Sequence, residues 1–90
     1  MVKEKTKSKS NEKENHGFTK EMILHNDDFN TFDYVIDTLV EVCNHEPLQA
    51  EQCAFIVHYK GRCSVKSGNE VVLYPMCKEM LKRGLTVTIE

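Results

Sequence analysis

The sequence predicts a small α+β domain with the element order β-α-α-β-α-β. Two observations lead there. Three stretches repeat apolar residues at helical spacing, and three shorter runs are apolar or β-branched and bounded by turn residues. Glycine, proline and asparagine fall between these stretches, where elements are expected to start or stop. Helices of about 12 residues interspersed with short strands suit a two-layer sandwich.

Phe18 to His25 reads as the first strand. Asn30 is a plausible N-cap, with Asp33 three residues later in a capping-box position. The first helix then runs from Thr31 to about Cys43, with Phe32, Val35, Ile36, Leu39, Val40 and Cys43 on its apolar stripe. Asn44-His45-Glu46 is a turn. Pro47 suits the first turn of a second helix, which runs to about Tyr59. Ala50, Cys53, Ala54, Val57 and His58 share one face of it, and Gly61 stops it. Arg62 to Lys66 reads as the second strand and Ser67-Gly68-Asn69 as a turn. A third helix covers roughly Glu70 to Arg83. Its Pro75 is acceptable only if the helix starts late, near Val71 or Val72, because an interior proline removes a hydrogen bond. Gly84 fits the C′ position. Leu85 to Ile89 alternates and is β-branched, which predicts the third strand.

Ninety residues make one domain at most. Residues 1–17 differ from the rest: five Lys against three Glu give them a charge of +2, with no aromatic residue. Such a stretch cannot offset its ordering entropy by burial, and is expected to be a disordered extension ahead of a domain over 18–90. It has no apolar middle region and does not read as a secretory signal. The remaining seven basic and eleven acidic residues carry −4, which argues against nucleic acid as a partner of the folded part. No run approaches a membrane-spanning length, so no membrane partner is expected.

Four cysteines, Cys43, Cys53, Cys63 and Cys77, are spread without a C-x-x-C. They read as reduced thiols of a cytoplasmic protein, three of them in apolar surroundings. A zinc site would need clustered ligands, and no metal or cofactor is expected. A nucleophilic Cys63 beside His58 is conceivable, but no third orienting group is evident. There is no phosphate-binding glycine loop and no serine elbow, so no catalytic residue is assigned.

The run His25-Asn26-Asp27-Asp28-Phe29 carries the most chemistry. It sits at a strand-to-helix junction beside apolar side chains. Clustered acceptors suit a small cation such as an ammonium group. An α-amino group has a pKa near 7.7–8.0, so at neutral pH it is mostly a cation with three donors. Asn26 can offer an amide oxygen, Asp27 or Asp28 a carboxylate, and neutral His58 a ring nitrogen. Acceptors beside an apolar slot would recognise the free N-terminus of a polypeptide. The same run can equally be an Asx turn, with side chains bonding their own backbone. A histidine at a helix end can likewise be a surface residue favoured by the helix dipole.

Leu24 to Leu39, reading L-H-N-D-D-F-N-T-F-D-Y-V-I-D-T-L, resembles the V-N-D-D-Y-T-P-M-E-F-V-I-D-V-L motif of the ClpS adaptors. Ala54 to Cys63 is similar to their second motif, where a Val-His pair is followed three residues later by glycine. The closing Leu85-Thr86-Val87-Thr88-Ile89-Glu90 resembles their L-L-C-T-L-E end. The resemblance implies a three-stranded antiparallel sheet packed against three helices, a fold similar to the C-terminal domain of ribosomal stalk proteins. It implies an adaptor, without catalysis, that takes N-degron substrates beginning with Phe, Tyr, Trp or Leu to a Clp-family AAA+ unfoldase, ClpA- or ClpC-like, paired with ClpP. A monomer is expected. Carried over by position, Asn26, Asp28 and His58 would contact the α-amine, with Asp27 in support or acting through water. Asn30, Phe32, Val35, Ala54, Val57 and Leu85 would line the side-chain pocket. The N-terminal extension would take part in handover. Phe32 and Ala54 stand where the family usually has Met, and Asn30-Thr31 where it has Thr-Pro. The alternative reading is a protein-interaction domain of the same fold without an amine pocket, as in the stalk proteins, which lack the Asn-Asp-Asp and Val-His pairing.

Overall fold

A computed structural model describes residues 19–90. The expected extension over 1–17, and Phe18, lie outside the described residues. The order is β1 (Lys20–His25), α1 (Phe32–Cys43), α2 (Pro47–Lys60), β2 (Arg62–Gly68), α3 (Glu70–Lys82) and β3 (Thr86–Ile89). β1 lies in the middle of the sheet, antiparallel to both β2 and β3. The predicted α+β class and element order are therefore those observed.

The strands and the inner faces of the helices meet in one core. Met22, Leu24, Leu39, Leu73 and Met80 are fully buried in it. Burying side chains of this size stabilises the fold by roughly 1.5–3 kcal/mol each. α2 contributes only small residues, Ala50, Ala54 and Val57, so it can approach closely.

Several local expectations are corrected. Thr31, not Asn30, caps α1: its hydroxyl accepts from Tyr34 N–H at 3.1 Å. α3 does not start late. Asn69 caps it through Val72 N–H, and Pro75 sits well inside. The proline costs one helical bond, on a stretch where Val71, Val72 and Tyr74 are exposed and water can replace it. β2 also runs two residues beyond Lys66, with Ser67 and Gly68 still paired to Glu21 and Lys20.

β2 carries one extra residue. Lys66 opposes Met22 and Ser64 opposes Ile23, so Val65 forms a bulge. His45, itself buried, donates from Nε2 to the Val65 carbonyl at 2.7 Å. Lys66 Nζ donates to the Cys43 carbonyl at 3.1 Å. The α1–α2 turn is thus fastened to β2 by two side chains.

The opposite end of the sheet builds the site. Gly61 adopts φ +94°, in the left-handed region, ending α2 and turning the chain into β2. Its carbonyl then accepts from Asn26 N–H at 2.9 Å. This bond extends the β1–β2 pairing by one step. It holds the loop after β1 against the last turn of α2, which carries His58.

Candidate functional site

Asn26, Asp27, Asp28, Asn30, Phe32, Val35, Ala54, Val57 and His58 line one cavity of about 330 Å³. That is within the range of small-ligand clefts. The loop between β1 and α1 supplies one wall, the first turns of α1 a second, and the last two turns of α2 a third. Nine of the ten sequence-predicted site residues therefore converge. Leu85 does not line this cavity. It lines an adjoining hollow of about 30 Å³, together with Leu24, His25 and five residues shared with the larger space.

The acceptor run divides between its two readings. Asp27 serves the turn: Oδ1 accepts from the backbone N–H groups of Phe29 and Asn30, both at 2.8 Å. Its Oδ2 accepts from Asn30 Nδ2 at 2.8 Å. Partial burial pushes this carboxyl up, but the backbone and side-chain bonds from Asn30 and the Phe29 N–H outweigh it and hold it below its ordinary value. Asp27 is thus an ionised residue that fixes the loop. Asn30 Nδ2 also donates to the Gly84 carbonyl at 3.0 Å, tying the loop to the turn before β3. Tyr34 Oη makes a parallel tie, donating to the Arg83 carbonyl at 2.8 Å.

Asn26, Asp28 and His58 are the remaining polar side chains of the cavity. All three are exposed, and none makes a side-chain hydrogen bond among the described residues. An amide oxygen, a carboxylate and an imidazole nitrogen are therefore available at the cavity. The remaining lining is apolar: Phe32 and Val35 from α1, Ala54 and Val57 from α2. Phe32 is held by an edge-on contact with Phe55, ring centroids 4.8 Å apart. Phe55 thus supports the rim and does not fill the space that Ala54 leaves.

The sequence reading missed two features. The Asn30 and Tyr34 ties join residues 54 and 49 positions apart, respectively, to the start of α1, and no local pattern signals them. The second is an aromatic row, Phe32–Phe55–Tyr59–His58, along the cavity rim. A signal for it exists: Phe55 and Tyr59 are spaced i, i+4 on the face of α2 opposite Ala50, Ala54 and Val57.

No group of three or more metal-ligating side chains occurs among the described residues. No helix of these residues is long and apolar enough to cross a membrane. Burial pushes the thiols of Cys43 and Cys53 up to about 11, the latter also through its neighbour Cys63, so neither is an activated nucleophile.

Residues 15–88 match the family model described as "ATP-dependent Clp protease adaptor protein ClpS". The chain belongs to the ClpS family. It is 39% identical over 61 residues to the ClpS adapter of Clostridium acetobutylicum, covering 63% of this chain and 60% of that protein. It is 40% identical over 40 residues to the ClpS adapter of Nitratidesulfovibrio vulgaris, covering 44% of this chain and 40% of that protein. The match thus spans three fifths or less of these relatives. The fold is similar to that of Agrobacterium tumefaciens ClpS2, solved bound to L-phenylalaninamide. The TM-score is 0.77 at 20% identity, covering 81% of this chain and 95% of that one. ClpS is a family of Clp protease adaptors.

Proposed function

We propose that this ClpS family member binds the free N-terminal residue of N-degron substrates, when that residue is Phe, Tyr, Trp or Leu, and delivers them to a Clp AAA+ unfoldase for degradation by ClpP. The observation that carries this is the pairing of three unengaged acceptors, on Asn26, Asp28 and His58, with an apolar cavity of about 330 Å³. A protonated α-amine has three donors, one for each acceptor. Each charge-assisted bond is worth roughly 1.5–3 kcal/mol. Burial of an aromatic or leucine side chain adds about as much. After an association cost of at least about 4 kcal/mol, these terms support up to about −8 kcal/mol, or micromolar affinity. The ligand of the Agrobacterium protein, phenylalaninamide, has the same two features, an amine and a benzyl group.

The finer assignments belong to this proposal. Asn26, Asp28 and His58 contact the amine, and Asp27 holds the loop. Phe32, Val35, Ala54 and Val57 surround the first side chain, with Asn30 at its edge and Leu85 beneath. The protein acts as a monomer in the cytoplasm, with a ClpA- or ClpC-like unfoldase, and performs no chemistry of its own.

The test is a titration with three peptides of one sequence: Phe-first, Phe-first with an acetylated N-terminus, and Gly-first. Acetylation removes the charge and leaves a single donor, so the acceptors lose their partners. Binding of the first alone is expected. Equal affinity for the acetylated peptide would rule out the amine site.

A further inference from the structure

We infer that the Phe55–Tyr59 ledge on α2 receives the second residue of a bound polypeptide and favours apolar or aromatic side chains there. The inference rests on the amine-pocket reading above. α2 is built inside out: Ala50, Ala54 and Val57 face the core, whereas Phe55 is 45% exposed and Tyr59 75% exposed. Single exposed apolar residues are ordinary on a protein surface. These two are joined to each other and to the cavity. Their rings are stacked within 7° of parallel, centroids 6.1 Å apart. Phe55 meets Phe32 edge-on, and Tyr59 meets the His58 ring edge-on at 4.9 Å. Phe32 and His58 both line the cavity. The aromatic surface therefore runs without a break from the apolar wall to the amine end.

The occupant follows from the geometry of a peptide. If His58 holds the α-amine, the first Cα lies one bond beyond that nitrogen. The chain must leave the cavity from that point. Residue two follows at a Cα spacing of 3.8 Å. The exposed ring that touches His58 is that of Tyr59, stacked in turn on Phe55, and the proposed path of the chain crosses it. An aromatic or branched apolar side chain on residue two covers these ring faces, while glycine leaves them in water. Aromatic pairing of this kind is worth a few-fold to about tenfold in affinity.

The experiment compares free-amine peptides Phe-Trp, Phe-Leu and Phe-Gly with an identical polar continuation, on the full chain. Phe-Trp and Phe-Leu are expected to bind roughly three- to tenfold tighter than Phe-Gly. In Tyr59→Ser that ratio should fall below about twofold, and in Tyr59→Phe, which keeps the ring face, it should persist. Equal binding of all three peptides by the wild-type protein would overturn the ledge while leaving the amine pocket intact. A ratio unchanged in Tyr59→Ser would overturn it too. If the acetylated forms of these peptides bind as well as the free ones, the pocket reading fails, and the ledge with it.

Discussion

Asn30 and Asp27 are bonded twice over. The carboxylate accepts from both the side-chain amide and the backbone N–H of Asn30, each at 2.8 Å. With the Phe29 N–H it receives three bonds in all. Its neighbour Asp28 receives none among the described residues, so two adjacent carboxylates have opposite employment. Asp27→Ala should destabilise the domain by about 1–2 kcal/mol and weaken Phe-peptide binding by loosening the loop. Asp28→Ala should weaken binding with little change in stability. Denaturation curves and titrations of the two variants separate the roles.

The depressed Asp27 carboxyl has a pH signature. A folded-state value lowered from 3.8 means the ionised form is the one the fold favours. Its contribution is complete above the unfolded value and is lost as pH falls through the lowered folded value. The stability advantage of the wild type over Asp27→Asn should therefore be constant near neutrality and shrink below about pH 4. Urea midpoints measured across pH 2.5–7 would check this (a range spanning the carboxyl titration). An advantage that persists undiminished at the acid end would show that charge is not involved.

His45 is expected to matter for stability alone. A carbonyl only accepts, so its bond to Val65 fixes the Nε2 hydrogen of a buried ring. His45→Leu leaves the bulge carbonyl unpaired in the interior and should cost roughly 1–3 kcal/mol. His45→Gln, which can still donate, should recover part of that. Peptide affinity of the folded fraction should not change, because His45 is remote from the cavity lining.

What the sequence made legible was periodic or compact. The stripe of α1, the Pro47 start, the Gly61 and Gly84 stops and the alternating last strand all appear in place. The Asn-Asp-Asp run and the Val57-His58 pair reached one cavity because a left-handed Gly61 and a single bond to Asn26 bring their elements together. What stayed hidden was set by distant partners. Asn30 and Thr31 are both competent caps. Asn30 is drawn away by Gly84, so the cap passes to Thr31. The Val65 bulge is likewise paid for by His45, twenty residues upstream. Pro75 suggests a start near Val71 or Val72, yet the Asn69 cap starts α3 at Glu70.

First-residue selectivity should follow from Phe32 and Ala54. Phe32 is fixed by Phe55, so the rim is stiff and should exclude β-branched first residues such as Ile and Val. Ala54 is nearly buried at the wall and contributes little bulk, which leaves depth for Trp. Peptides differing only in the first residue should show Phe, Tyr, Trp and Leu bound, with Ile and Val at least about tenfold weaker. Ala54→Met should weaken Trp more than Leu by filling that depth. Ile binding as tightly as Phe would sink the role given to Phe32.

Removing residues 1–17 should separate capture from delivery. The described residues supply both the acceptors and the apolar lining by themselves, so Phe-peptide affinity should be the same within error after deletion. The proposed part of this stretch in handover rests on its composition alone, five Lys among Ser, Thr, Asn and Glu with no aromatic residue. An unfoldase that grips a substrate or adaptor needs such a chain more than it needs a given sequence. Degradation of a Phe-initiated substrate by the cognate unfoldase and ClpP should therefore slow sharply in the deletion. An unrelated polar segment of equal length should restore much of the rate. Delivery at full speed without residues 1–17 would show them dispensable. Loss of peptide affinity would instead place part of the binding domain upstream of residue 18.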